Sequence, residues 1–278
     1  NLSSGYRCNL DGFPIEFIEG DIRDEASAAK ACQDRDVVFH LAASVGRQRS
    51  LDNPQLDSSI NLIGTINVLE GMVRNGVPKI IYSSSAAIFG ELLTPSIDEY
   101  HPQNADSPYG VSKLAAEKMI LAYSGIYGIT GICLRYFNIY GVNQRFDLYG
   151  NVIPIFAQRI FSNEPITIYG DGEQTRDFVN VKDVARANYL AAVNGQASNV
   201  YNLGSGSSIT INILAEIMQA ISRRDVGIQY APPRPADVRH CKAQTTRVRE
   251  GLGFEVSIGL TTGLQEYMNW FDEFCMKG

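Results

Sequence analysis

Short apolar runs alternate with amphipathic stretches through the first half of the chain. Ile15 to Gly20, closed by Asp21-Ile22, reads as a first strand, and Asp24 to Gln33 as a short helix. The run Asp36-Val37-Val38-Phe39-His40-Leu41-Ala42-Ala43 is almost continuously apolar, as expected of a strand buried on both faces of a parallel sheet. From Pro54 to about Asn75 the apolar residues fall on two helical stripes, Leu56-Ile60-Ile63 and Leu62-Ile66-Leu69-Val73. So wide an arc predicts a helix covered on both sides. Gly76 closes it, and Lys79-Ile80-Ile81-Tyr82-Ser83-Ser84-Ser85 reads as a buried strand ending in hydroxyls. A helix from Pro108 to about Tyr127 and a strand over Gly131–Tyr136 follow. This rhythm of strand and helix predicts a parallel sheet with right-handed crossovers, a doubly wound α/β fold.

After Tyr136 the texture changes. Residues 138–176 are rich in Asn, Gly, Pro and aromatics, with a helix near Val152–Ser162 and a strand at Ile166–Tyr169. Asp183 is expected to cap a helix over Val184–Ala192. Asn199–Leu203 reads as a strand, Ile211–Ile221 and Leu260–Phe274 as helices, and Pro232-Pro233-Arg234-Pro235 as a rigid extended loop. The expected division is a sheet domain over residues 1–137, also receiving about 177–193, and a smaller lobe over 138–278.

A chain of 278 residues can bury a large core in one or two domains. A net charge of −6 argues against a nucleic acid or an anionic membrane as partner. No apolar run approaches the ~20 residues needed to span a bilayer. Cys8, Cys32, Cys133, Cys241 and Cys275 show neither metal-ligand nor paired spacing, so no metal is expected, and the thiols point to a reducing, cytoplasmic setting.

The chemistry is concentrated in Ser107-Pro108-Tyr109-Gly110-Val111-Ser112-Lys113. On a helix Tyr109 and Lys113 project from one face. An ammonium beside a phenol favours the phenolate, which lets a tyrosine exchange protons near neutral pH. Moving a phenol from about 10 to about 7 takes roughly 4 kcal/mol. Tyr-x-x-x-Lys also describes many ordinary surface helices. The upstream strand ending in Ser83-Ser84-Ser85 favours the chemical reading, because open α/β sheets place ligands at strand carboxyl ends. His40 is expected to be a packed core histidine rather than a ligand.

The motifs Gly20-Asp21-Ile22-Arg23, His40-Leu41-Ala42-Ala43, Ser83-Ser84-Ser85-Ala86-Ala87-Ile88-Phe89-Gly90, Tyr109-Gly110-Val111-Ser112-Lys113 and Leu134-Arg135-Tyr136-Phe137-Asn138 occur in this order. They are followed by Gly170-Asp171-Gly172-Glu173-Gln174-Thr175-Arg176-Asp177-Phe178 and Arg234-Pro235-Ala236-Asp237-Val238-Arg239-His240. Together they resemble the extended short-chain dehydrogenases, and within them the NAD-dependent nucleotide-sugar epimerases of UDP-galactose 4-epimerase type. The resemblance implies a Rossmann domain, NAD as cofactor, and epimerisation at carbon 4 of a UDP-hexose through a 4-keto intermediate. It assigns catalysis to Ser85, Tyr109 and Lys113. Asp21, Ile22, Leu41, Ala42, Ala43, Asn61, Ser83, Tyr109, Lys113 and Tyr136 would meet the cofactor. The UDP-sugar would fall to Ser85, Asn138, Asn151, Thr167, Tyr169, Arg176, Arg234, Asp237 and Cys241, with the two arginines clamping the diphosphate.

Three further expectations rest on the resemblance. Family members open with a strand, a glycine-rich turn, a helix and a second strand, a unit of roughly 30 residues. Asn1-Leu2-Ser3 resembles the loop after it, so the chain reads as N-terminally truncated and is expected to bind NAD poorly by itself. Leu203-Gly204-Ser205-Gly206-Ser207-Ser208 does not replace that turn and reads as a plain loop. Relatives pair through the two helices at Pro54 and Tyr109, so a homodimer is expected. Cys241 stands where members restricted to unacetylated sugars carry a tyrosine, leaving room for an acetamido group. Two rivals, a 4,6-dehydratase and a UDP-glucuronate decarboxylase, normally carry acids where this chain has Ala86 and Ala87. A non-catalytic nucleotide-binding fragment is the third.

Overall fold

The computed structural model of the chain describes residues 1–144, 151–233 and 238–274. They form two compact units, one of Asn1–Gly90, His101–Tyr136 and Asn188–Tyr201, the other of Glu91–Tyr100, Phe137–Ala187 and Asn202–Gly278.

The first unit is built on a four-stranded sheet in the order Val37–His40, Lys79–Ser85, Thr130–Tyr136, Asn199–Leu203. The first three strands run parallel, with His40 beside Tyr82 and Ser85 beside Tyr136 in the ladder. Helices Glu25–Ala31, Gly64–Asn75 and Pro108–Tyr127 supply the covering layers. Leu69, Met72, Ile80, Tyr82, Ala116, Ile120 and Cys133 share one buried cluster. Asp24 starts the first helix by accepting from the Ala26 and Ser27 amides. Gly76 ends the second at φ 67°, the left-handed turn that a glycine makes without steric cost.

Three local expectations change. Ile15–Gly20 forms no strand, because among the described residues no ladder partner lies beside it. The Val37–His40 strand is not buried on both faces: among the described residues it pairs on one side only, and Phe39 is 44% exposed. The long helix after Pro54 is three pieces in succession, Pro54–Ser58, a π turn at Ser59–Ile63, and Gly64–Asn75. A π turn widens the helix by one residue and shifts its face, which is why the apolar stripes change register. The face turned inward near the π turn is polar: Asp57, Asn61 and Thr65 are buried, whereas Leu56 and Ile63 are 39% and 49% exposed.

The second unit packs helices Val152–Phe161, Ile211–Ser222 and Leu260–Phe274 around a two-stranded parallel ladder, Ile166–Tyr169 with Ile228–Ala231. Asp183 is not a cap. It lies within the first turn of helix Val181–Asn194, and its carboxylate accepts from the amides of Ser257 and Ile258 and from the Ser257 hydroxyl at 2.6 Å. The Gly204–Gly206 turn is held by the buried Asp177 carboxylate, which accepts from the amides of Ser205, Gly206 and Ala243. A side chain at Gly204 would meet that carboxylate, so the glycine is there for close approach.

Candidate functional site

Helix Pro108–Tyr127 begins with Ser107 accepting from the Gly110 amide at 3.2 Å and with proline at its first position. Its first turn lies against the short 3₁₀ turn Ala86–Ile88 that follows the Lys79–Ser85 strand. The approach is so close that a methyl group at Gly110 would run into the Ala87 carbonyl oxygen and sit 3.1 Å from the Ala105 methyl. This contact joins the strand end to the helix start: Ser85 accepts from the Ala87 amide at 3.2 Å, and its hydroxyl acts to lower the Tyr109 phenol.

Lys113, one turn on, is buried, and its Nζ lies 4.3 Å from the centre of the Tyr82 ring. Among the described residues it has no ion-pair partner. Burial pushes the ammonium down to about 7, opposed by Cys133, Asp57 and Glu117. Tyr109 is half-buried. Desolvation nevertheless raises its phenol above the ordinary value, and the bond from Ser85 works the other way. Lys113 and the positive nicotinamide together are expected to favour the phenolate; in the protein itself burial penalises both charged forms.

Around this pair runs a network of buried polar groups, in which Asp57 Oδ1 and the Tyr82 hydroxyl are left without a hydrogen-bond partner. Ser112 donates to Asp57 Oδ2 at 2.6 Å and accepts from Asn61 Nδ2 at 3.0 Å. Asn61 also donates to the Ser44 carbonyl and accepts from its amide, at 3.0 and 2.8 Å. Asn61, expected among the cofactor contacts, thus spends its amide inside the protein and ties the loop after the first strand to the Tyr109 helix. Ser83 likewise donates to the His40 carbonyl at 3.1 Å. His40 is the packed histidine expected, 2.8 Å from Thr65 Oγ1, and burial with the nearby Lys113 lowers it to about 3. One turn further along the same helix face Ser84 donates to Glu117 at 2.7 Å, and Glu117 takes a two-pronged bond from the buried Arg135 at 2.7 and 3.1 Å.

The remaining expected cofactor residues lie in the same unit. Leu41 and Ala42 are exposed just past the strand end, with Ala43 half-buried. Asp21 is bound by the Arg23 guanidinium at 2.7 and 3.0 Å, by the Arg23 amide and by Asn1, which holds its carboxyl far below the usual range. Those four bonds fill its lone-pair positions. Ile22 packs against Gly64, whose missing side chain makes room for it. The Tyr136 hydroxyl bonds Asn188, and burial raises its phenol.

In the second unit Asn138 Nδ2 donates to the Asp177 carbonyl at 3.2 Å, Asn151 is exposed ahead of helix Val152–Phe161, and Thr167 and Tyr169 lie on one strand. Arg176 donates to the carbonyls of Val238 and Thr175 at 2.6 and 2.9 Å. Cys241 is buried, and its thiol is pushed up to about 11. Arg234 and Asp237 lie outside the described residues. Asp57, Thr65, Ser112 and Glu117 escaped the sequence reading. Their signal was present as polar residues at helical spacing, Asp57-Asn61-Thr65, inside an otherwise apolar stretch.

A parallel sheet with a serine at a strand end, and a tyrosine and a buried lysine at the start of the helix packed on it, is the arrangement of an α/β fold. Comparison with known proteins narrows the class. The NAD dependent epimerase/dehydratase family matches residues 2–204, and the chain belongs to it. A UDP-glucose 4-epimerase of Thermotoga maritima, solved with UDP-glucose, superimposes with a TM-score of 0.93 at 35% identity, covering 99% of this chain and 89% of that one. A UDP-N-acetylglucosamine 4-epimerase of Methanobrevibacter ruminantium M1, solved with UDP-N-acetylmuramic acid, gives 0.94 at 34%, covering 98% and 89%. A UDP-glucose 4-epimerase of Mycolicibacterium smegmatis is 30% identical over 278 residues, covering 98% of this chain and 88% of that protein.

Proposed function

We propose that the chain carries the machinery for NAD-dependent inversion at carbon 4 of a UDP-hexose, an isomerase reaction. The observation that carries the reading is Ser85 beside the Tyr109 phenol, which it acts to lower, with Lys113 buried one turn along the same helix. These residues suit NAD: Lys113 is a dry cation without an ion-pair partner among the described residues, and Leu41 and Ala42 leave an open strand end. When bound, NAD supplies the hydride acceptor and then the donor. Tyr109 takes the proton from the 4-hydroxyl, Ser85 holds the oxygen, and a 4-keto sugar results. The ketone presents its other face and Tyr109 returns the proton. Lys113 supports both charge changes and would hold the nicotinamide ribose.

We read the first unit as the cofactor domain and the second as the sugar domain, with Asn138, Asn151, Thr167, Tyr169, Arg176 and Cys241 from the latter serving the substrate. Dehydration is disfavoured because Ala86 and Ala87, directly after Ser85, offer no acid or base. A homodimer through the Pro54 and Tyr109 helices is supported by exposed Leu56, Ile63 and Val111, the last 54% open. Light scattering that finds a monomer at micromolar concentration would remove it. A cytoplasmic setting is supported by the free thiols of Cys8, Cys32, Cys133 and Cys241. No helix among the described residues is long and apolar enough to cross a membrane.

The test is NMR of UDP-glucose, UDP-N-acetylglucosamine and UDP-glucuronate incubated with NAD and the protein. Inversion at carbon 4 is expected, and Tyr109→Phe should lower turnover by ~100-fold or more, a common acid–base contribution, while folding survives. Dehydrated or decarboxylated product, or near-normal activity in Tyr109→Phe, would overturn the proposal.

A further inference from the structure

Asp57 is one of the buried ionisable side chains that the reaction as described does not use. It is 1% exposed, on the short helix Pro54–Ser58. One carboxylate oxygen, Oδ2, accepts from Ser112, the residue between Tyr109 and Lys113 on their helix. The other, Oδ1, is buried without a hydrogen-bond partner. Among the described residues no cation lies within ion-pair distance of it. A buried carboxylate with one free oxygen and no counter-charge is costly, and such an arrangement calls for an account.

The surroundings of Lys113 supply one. Facing it are Tyr109 and Glu117 from its own helix, Tyr82 and His40 from the two neighbouring strands, Cys133 from the third, and Asp57. Burial keeps Cys133 a neutral thiol, Tyr82 a neutral phenol and His40 a neutral imidazole. Glu117 is neutralised by Arg135 through two hydrogen bonds. On the adjacent helix Arg47–Asp52, Arg47 is paired with Asp106, and Arg49 and Asp52 are engaged. What remains facing Lys113 is one anion, Asp57.

We propose that Asp57 is a positioning residue whose buried carboxylate, bonded to the Tyr109–Lys113 turn through Ser112, sets the proton affinity of that pair. Its effect on the reaction rests on the function proposed above; its effect on Lys113 does not. An anion favours the protonated form of both partners. Removing it should therefore let Lys113 and Tyr109 each lose a proton at lower pH. The whole active pH window then translates toward acid, whichever group forms which limb.

Two measurements on the full chain test this. In the first, lysine labelled with ¹³C at Cε is titrated by NMR in wild type, Asp57→Asn and Asp57→Glu. The Lys113 midpoint should fall by about one pH unit in Asp57→Asn, a tenfold loss of proton affinity as expected for removing one nearby buried charge, and stay near wild type in Asp57→Glu. In the second, kcat/KM is followed against pH. Both limbs should move to lower pH in Asp57→Asn, whereas a merely structural role would lower the rate with the limbs in place. An unmoved Lys113 midpoint overturns the proposal even if wild type epimerises no sugar. If Asp57→Asn does not fold, the ¹³C carboxyl signal of Asp57 in wild type decides: it must be ionised at pH 7 and inflect again where Lys113 titrates, and a protonated carboxyl or a missing second inflection rejects the idea.

Discussion

Gly110→Ala sets helix propensity against geometry. In a helix interior alanine is favoured over glycine by about 1 kcal/mol. At Gly110, whose φ is not positive, that gain meets an obstacle: the added carbon would overlap the Ala87 carbonyl oxygen, a backbone atom that cannot swing away. Ordinary van der Waals distance returns only if the helix start and the Ala86–Ile88 turn separate by about 1 Å. Overpacking of this kind costs roughly 1–3 kcal/mol, so the net change should be between zero and about 2 kcal/mol destabilising. The functional cost should be larger. The same separation pulls Tyr109 from Ser85, and a misplacement near 1 Å can cost about 100-fold in turnover. Gly125 is the control: it lies on the same helix, and a methyl group there meets nothing within 4 Å. Thermal unfolding and NMR-detected epimerisation would be measured on both. Gly125→Ala should be slightly more stable and fully active; Gly110→Ala should retain most of its stability and lose about two orders of magnitude in rate. A Gly110→Ala enzyme within threefold of wild type would refute the claim that this contact aligns the pair.

Three other outcomes follow from the same geometry. Glu117→Gln strands the buried Arg135 charge and should cost about 3–5 kcal/mol in denaturant unfolding, whereas replacing both with methionine should recover much of it; equal losses in single and double variants would contradict this. Between pH 6.5 and about 3 the unfolded chain binds a proton at His40 that the folded chain refuses, so stability should fall with acid by up to about 1.4 kcal/mol per pH unit from this group, and His40→Gln should flatten the slope. Cys241→Tyr should remove activity on UDP-N-acetylglucosamine and spare UDP-glucose; equal loss of both would mean that this wall does not select the sugar.

The succession of parallel strands and covering helices was legible because buried strands and amphipathic helices leave apolar periodicities, and Lys79–Ser85 and Thr130–Tyr136 carry them plainly. Ile15–Gly20 has the composition of a strand, but a strand is made by a neighbour that composition does not supply. Val37–His40 shows the same limit: its apolar run does not reveal that among the described residues one side of the ladder stays unpaired. Tyr109 and Lys113 were legible because four residues is a helical spacing. Ser85 was legible because it ends a strand.

The polar row Asp57-Asn61-Thr65 was not found, although its spacing is as regular as that of the apolar stripes. The apolar residues of the Pro54 segment drew attention to Leu56 and Ile63, which face outward, and the π turn at Ser59–Ile63 disguised which face points in. A buried polar row is informative because it is expensive: each group needs a partner, and the partners here are Ser112, Ser44 and His40. Such a row fixes the angle of one helix against another more sharply than apolar packing, since a slip of one residue would leave several groups unsatisfied at once. In this fold the helix so fixed is the one that carries Tyr109 and Lys113. The residues named for chemistry and those that hold them in place are therefore one connected network, running from the sheet through the polar row to the helix start.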